Sequence, residues 1–301
     1  MKFALFPLFA LVLAALPTSR AEEKTYTVKL EREDHKGQKT KEKITASNAQ
    51  AQTVTVGGKV VQEQNETLSG TLTGVREVLE INEKKKATKF KFAVEKLTVK
   101  KGEEDAQELL SGGTVMVVQR KKDGQMSFTV EGEEADEDTK KVLDIMFELP
   151  KEKEPEVGDD EAFGTNEPRK PGTEWDLDME KLLKSMPEDM PFQVDVAGSS
   201  GKMNFAGVKE VDGTECCQMK ADVKLKVKGM KGMPAEMKST KAGVRLTIDG
   251  LLPTDNALPE FASTMTMNLE FAGSITGPDG NPALIKVKVD TKKSSETRPA
   301  E

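Results

Sequence analysis

Met265-Thr266-Met267-Asn268-Leu269-Glu270-Phe271 alternates apolar and polar side chains without a break. Successive side chains of a β-strand point to opposite faces, so this run has one apolar face and one wet face. The same pattern recurs in residues 26–30, 89–92, 224–228, 244–248 and 286–289, where lysine often takes the wet positions. Repeated alternation of this kind predicts half-buried antiparallel strands, and lysine on the wet face discourages edge-to-edge association. Gly57-Gly58, Asp123-Gly124, Asp212-Gly213 and Asp279-Gly280 punctuate the runs. Such dipeptides tolerate positive φ and suit tight hairpins. The expected fold is mainly β: an antiparallel meander forming one or two curved sheets, a partial barrel, with two short capping helices.

The first predicted helix spans residues 133–148. It opens on acids, places Val142, Leu143, Met146 and Phe147 on one face, and meets Pro150. The second covers residues 176–186, where Met179, Leu182, Leu183 and Met186 fall at helical spacing before Pro187. Residues 150–172 carry four prolines and three glycines with little apolar content, which reads as a linker or long loop. It divides a β-rich half at residues 22–149 from another at 173–290, either two sheets or one continuous barrel. Residues 291–301, polar and ending in Thr-Arg-Pro-Ala-Glu, read as a mobile tail.

Residues 1–21 have the form of an export signal. Lys2 precedes an uncharged run from Phe3 to Leu16, and Ser19-Arg20-Ala21 supplies small residues before a cleavage point. That run is shorter than the roughly 20 apolar residues needed to span a bilayer, so the chain is expected to be exported, periplasmic or extracellular, and not membrane-spanning. Beyond the signal, 43 basic side chains face 52 acidic ones. An acidic chain with 5% aromatic residues lacks the basic face and stacking rings that nucleic acid requires. Charge is uneven, however: residues 219–241 hold seven lysines against two acids.

Catalytic signatures are sparse. The lone histidine, His35, sits among charged residues in a loop-like stretch, which argues against His-based nucleophilic catalysis and against most zinc sites. No metal and no cofactor are expected. Cys216-Cys217 would place one thiol in the core and one on the wet side; two reduced small apolar residues, a vicinal disulfide, an intermolecular bridge and a soft-metal site are the alternatives. Ten of fourteen methionines lie between Met179 and Met267, which suits flexible filling of an aromatic-poor core or the wall of a greasy cavity. The lone Trp175 reads as an anchor where the halves meet.

The phrase Gly172-Thr173-Glu174-Trp175, following an export signal, a meander, a charged helix and a Pro-rich stretch, resembles uncharacterised bacterial secreted β-sheet proteins that open their second half with Gly-Asp-x-Trp. Thr173 stands where those proteins carry Asp. The outline also resembles periplasmic lipoprotein and lipid carriers, whose half-barrel sheet is capped by helices over an apolar cavity. That resemblance covers architecture only; the function expected of the chain is that of a non-catalytic exported binding protein, for an apolar ligand or an envelope partner. Candidate walls are Val142, Leu143, Met146 and Phe147 from the helix with Met265, Met267, Leu269 and Phe271 from a strand. The alternatives are a hydrolase using two carboxylates, which needs no histidine, and a structural envelope protein without a ligand.

Overall fold

The computed structural model describes residues 24–121, 124–151, 156–187, 190–231, 238–276 and 282–300. The predicted export signal, Asp123, Asp279-Gly280, Met233 and Met237 lie outside the described residues. The alternating runs are strands of one antiparallel sheet of thirteen, ordered β7-β6-β5-β3-β2-β1-β13-β12-β11-β10-β9-β8, with β4 pairing β3. The first half supplies β1 (Lys39–Val56), β2 (Lys59–Ile81), β3 (Ala87–Lys101), β4 (Gln107–Leu110), β5 (Val115–Arg120), β6 (Met126–Val130) and β7 (Glu133–Glu134). The second supplies β8 (Glu174–Asp176), β9 (Phe192–Val211), β10 (Thr214–Met230), β11 (Lys238–Pro253), β12 (Ala262–Thr276) and β13 (Pro282–Pro299). Each half is a meander, and the two fuse where β1 pairs β13. The sheet does not close, because β7 and β8 remain its edges.

This pairing corrects the reading of residues 291–301 as a tail. Residues 291–299 belong to β13; 291–296 pair on both sides, with β1 and with β12, and 297–299 continue along β1. Polar composition concealed the strand, since a central strand is held by its backbone ladder and by whatever its neighbours place above it. Opposite its Thr291, Lys293 and Ser295 stand Asn48, Ala46 and Ile44 of β1. The ladder supplies much of the apolar cover from next door.

Both helices form, shorter than the pattern suggested. Helix α1 covers Glu137–Met146, and its Asp136 cap accepts hydrogen bonds from the amides of Asp138 and Thr139. Glu133 and Glu134 are drawn into β7 against β6 instead. Helix α3 covers Met179–Ser185 behind an Asp178 cap. A one-turn helix, α2 (Asp159–Ala162), lies inside the Pro-rich connection. The Gly57-Gly58 and Asp212-Gly213 turns have positive φ at both residues, as two-residue hairpins of this twist require.

One face of the sheet, here the inner face, carries two main cores. Under α1, Val142, Leu143 and Met146 pack at 0% exposure with Leu72, Phe92, Leu97 and Met116. Gly70 permits the approach, because a Cβ there would lie 2.7 Å from the Met146 methyl. Under α2, α3 and the N-terminal segment lies the second core, built on Phe205, Met219, Val223, Leu225 and Val244. With few aromatics to bury, each counts: Phe92→Ala is expected to cost about 3–5 kcal/mol.

Truncation after Asp290 tests the seam. Removing a mobile tail would leave the melting temperature unchanged, whereas removing the end of a central strand should abolish cooperative unfolding by circular dichroism. A truncated chain that melts within a few degrees of the intact one would refute the β1–β13 junction.

Candidate functional site

Residues directly opposite on neighbouring strands share a face, so the register places the inner-face side chains in rows. Leu225, Val244, Leu269 and Val289 form one row across β10, β11, β12 and β13. Val223, Leu246, Met267 and Thr291 form the next. Ala221, Ile248, Met265 and Lys293 form a third, which continues to Ala46 of β1. Burial falls toward the seam along the first two rows, and in the third it is least at Met265. Val223, Leu225, Val244 and Leu269 are buried; Leu246, Ile248, Met267 and Val289 are half-buried; Met265 is 38% exposed. Beyond the seam, Ala46 is sealed at 0% by the α1 core. A partly open apolar strip therefore runs over β11, β12 and β13 along the margin of the second core, most exposed at Met265.

The two predicted sets of wall residues are not brought together. Val142, Leu143, Met146 and Phe147 belong to the first core, at 0% to 9% exposure, and leave no opening beneath the helix. Leu269 and Phe271 are buried in the second core, Met267 packs at its margin, and Met265 stands in the open strip. Two hollows of about 190 Å³ lie elsewhere. One is on the outer face of β1 and β13, among Lys43, Thr45, Ser47, Lys292, Ser294 and Glu296. The other borders Trp175, whose indole N–H donates to the Phe163 carbonyl at 2.9 Å beneath the stacked Arg169 guanidinium. Trp175 thus fastens the Pro-rich connection to the second half, rather than joining the two halves.

Charged groups that the sequence did not single out lie along the seam. Lys293 shares its row with Met265, and among the described residues its amine donates no hydrogen bond and forms no ion pair. Burial lowers its pKa, against the pull of Glu148 and Glu42. Desolvation raises Glu42, although the Arg76 guanidinium stands 3.9 Å from it. Arg76 also pairs with Asp34 at 3.2 Å, and the second Asp34 oxygen accepts the Ala87 amide at 2.9 Å. Two residues earlier, Arg32 donates to the carbonyls of Pro253 (2.8 Å) and Asp255 (3.0 Å). The Asp160 carboxylate accepts the Leu30 amide at 2.6 Å and pairs with Lys29 at 3.0 Å. Residues 29–34 are therefore a strap tied to both halves. His35, just beyond, is exposed in a turn.

Cys216 and Cys217 are both free and both buried. Adjacent positions send them to opposite faces, as expected, but neither meets water. Cys217 joins the second core, and Cys216 is covered on the outer face by Leu251 and Phe261. Burial pushes the Cys217 thiol up to about 11 and raises Cys216 as well. Among the described residues, no group of three His, Cys, Asp or Glu side chains is placed to hold a metal, and no helix is long and apolar enough to cross a membrane.

No family model matches the chain, and no curated protein matches it. Among solved structures it is similar to lipovitellin, from a study of lipid–protein interactions, at 9% identity and a TM-score of 0.34. That match covers 89% of this chain but 26% of the other, so the chain spans about a quarter of lipovitellin's length. It is also similar to the outer membrane protein OprG of Pseudomonas aeruginosa, at 9% identity, with 90% and 100% of the chains covered and a TM-score of 0.18. At such scores neither likeness bears on function.

Two measurements test the electrostatics. Glu260, half-buried near Arg32, is raised by desolvation to about 7 from 4.5. The folded chain then holds a proton that the unfolded chain has released between those values, so stability falls as pH rises through that window, by about 3 kcal/mol in total. Glu260→Gln should remove that slope and be the more stable form at pH 8; urea titrations giving parallel pH profiles would rule this out. For the thiols, Ellman's reagent should find none in the native protein at pH 8 and two per chain after denaturation. One disulfide, or two fast-reacting thiols, would contradict the burial.

Proposed function

We propose that the chain is an exported, non-catalytic binding protein for an amphiphile with a long apolar chain and an anionic head. The observation that carries this reading is the partly open strip of Leu246, Ile248, Met265, Met267 and Val289, along the margin of the second core and ending at Lys293. An aliphatic chain laid along these rows would remove apolar surface from water at roughly 25 cal/mol per Å². Unbranched methionine adapts to tails of differing shape. Lys293 would receive the head: its amine is half-desolvated and has no bonded partner among the described residues, so a carboxylate or phosphate there would satisfy it. The run at residues 1–21, read as an export signal, supports a role outside the cytoplasm.

Displacement of a fluorescent fatty acid from the purified protein is the direct test. Met267→Arg should weaken binding at least tenfold while preserving the fold. Lys293→Met should erase the preference for a fatty acid over the corresponding alcohol and leave alcohol binding intact. Absence of saturable binding by the wild-type chain, or equal affinity in Met267→Arg, would overturn the reading.

A further inference from the structure

The β1–β2 hairpin ends in an apolar tip. Val60 and Val61, beside the Gly57-Gly58 turn, are 58% and 60% exposed. Val54 and Val56 of β1 are half-buried beside them, as are Leu284 and Ile285 of β13. Register distributes these residues over both faces of the sheet: Val60 and Leu284 flank Thr55 on one face, while Val54 lies beside Ile285 on the other. A docking patch for a folded partner is ordinarily one-sided. A hairpin end that is apolar on both sides suits a medium that closes around it, as the acyl boundary of a bilayer does.

The charges beside the tip fit an anionic membrane. Lys59 adjoins the turn and Lys286 lies two rungs along β13 from Leu284; neither forms an ion pair among the described residues. The neighbouring ends of β10 and β11 belong to the lysine-rich stretch 219–241. Acids are present too. Asp195 pairs with Lys226 and Lys228, Glu270 with Lys241, and Asp290 with Lys288; Glu63 and Glu66 stand further along β2. The tip itself carries lysine and valine, the combination that anionic headgroups over an apolar layer favour. Ile285, Val287 and Val289 then continue along the inner face of β13 from the tip into the open strip.

We propose that this end of the sheet, with the Val54, Val56, Val60 and Val61 hairpin leading, docks onto the surface of a bilayer containing anionic lipid. Docking needs no ligand in the strip, so it goes beyond the binding reading and stands or falls apart from it.

Flotation with vesicles tests it. The wild-type chain should float with phosphatidylcholine vesicles containing 30% phosphatidylglycerol, at least fivefold less with phosphatidylcholine alone, and less as salt is raised. Val60→Glu/Val61→Glu alters two exposed side chains; it should keep the wild-type melting temperature and lose at least tenfold of the flotation. The same variant should bind the fluorescent fatty acid like wild type, which separates failure of docking from failure of the strip. No flotation of the wild-type chain, or undiminished flotation of the variant, overturns the proposal. So would a concentration-dependent dimer in sedimentation that the valine variant abolishes, since the tip would then meet a second copy.

Discussion

The ladder between β1 and β13 is the constraint on which everything else rests. Seventeen residue pairs, from Thr40–Pro299 to Val56–Ala283, join the first long strand to the last. Without them the chain is two meanders, each exposing an unpaired edge where the other should lie. With them it is one sheet whose middle is made from its most distant segments. Closing a loop of this length is entropically costly, and the backbone bonds and the cores on either side must offset it together.

The seam also decides where the open surface lies. A helix can roof the sheet only where it packs closely, and each half has its own roof: α1 over β1, β2 and β6, α3 over β9. Between the roofs, the inner face of β12 and β13 is left with apolar side chains and partial cover. The strap at residues 29–34 crosses near one end of this region, holding Arg32 to the β11–β12 connection and Asp34 to β2 and β3. Arg32 donates to backbone carbonyls while Asp34 accepts from the Arg76 guanidinium and the Ala87 amide, which accounts for an arginine and an aspartate at half-buried positions. Apolar floor, polar tie and half-buried lysine together make a surface suited to a molecule with one wet end.

The unusual residues of the chain take structural parts. The two cysteines fill space on opposite faces of β10, Trp175 pins the Pro-rich connection, and His35 rests in an exposed turn. Methionines instead mark the gradient of the second half, from Met203 and Met219 in the core to Met265 in the open strip. Sequence spacing places Met265 and Met267 on one face of β12. It contains no information on which of the two would be covered.

Period-two alternation and turn chemistry determined the antiparallel sheet, because side-chain direction in a strand and positive φ in a tight turn are local properties. Acidic caps and helical spacing likewise located α1 and α3 to within a few residues. Only the tertiary structure decided that residues 291–299 are central, that the α1 face is a filled core, and that Lys293 stands beside Met265. Those facts depend on which distant strand lies alongside. Pairing partners are chosen by the combined fit of ladder, register and roof, and no single stretch of sequence contains that sum.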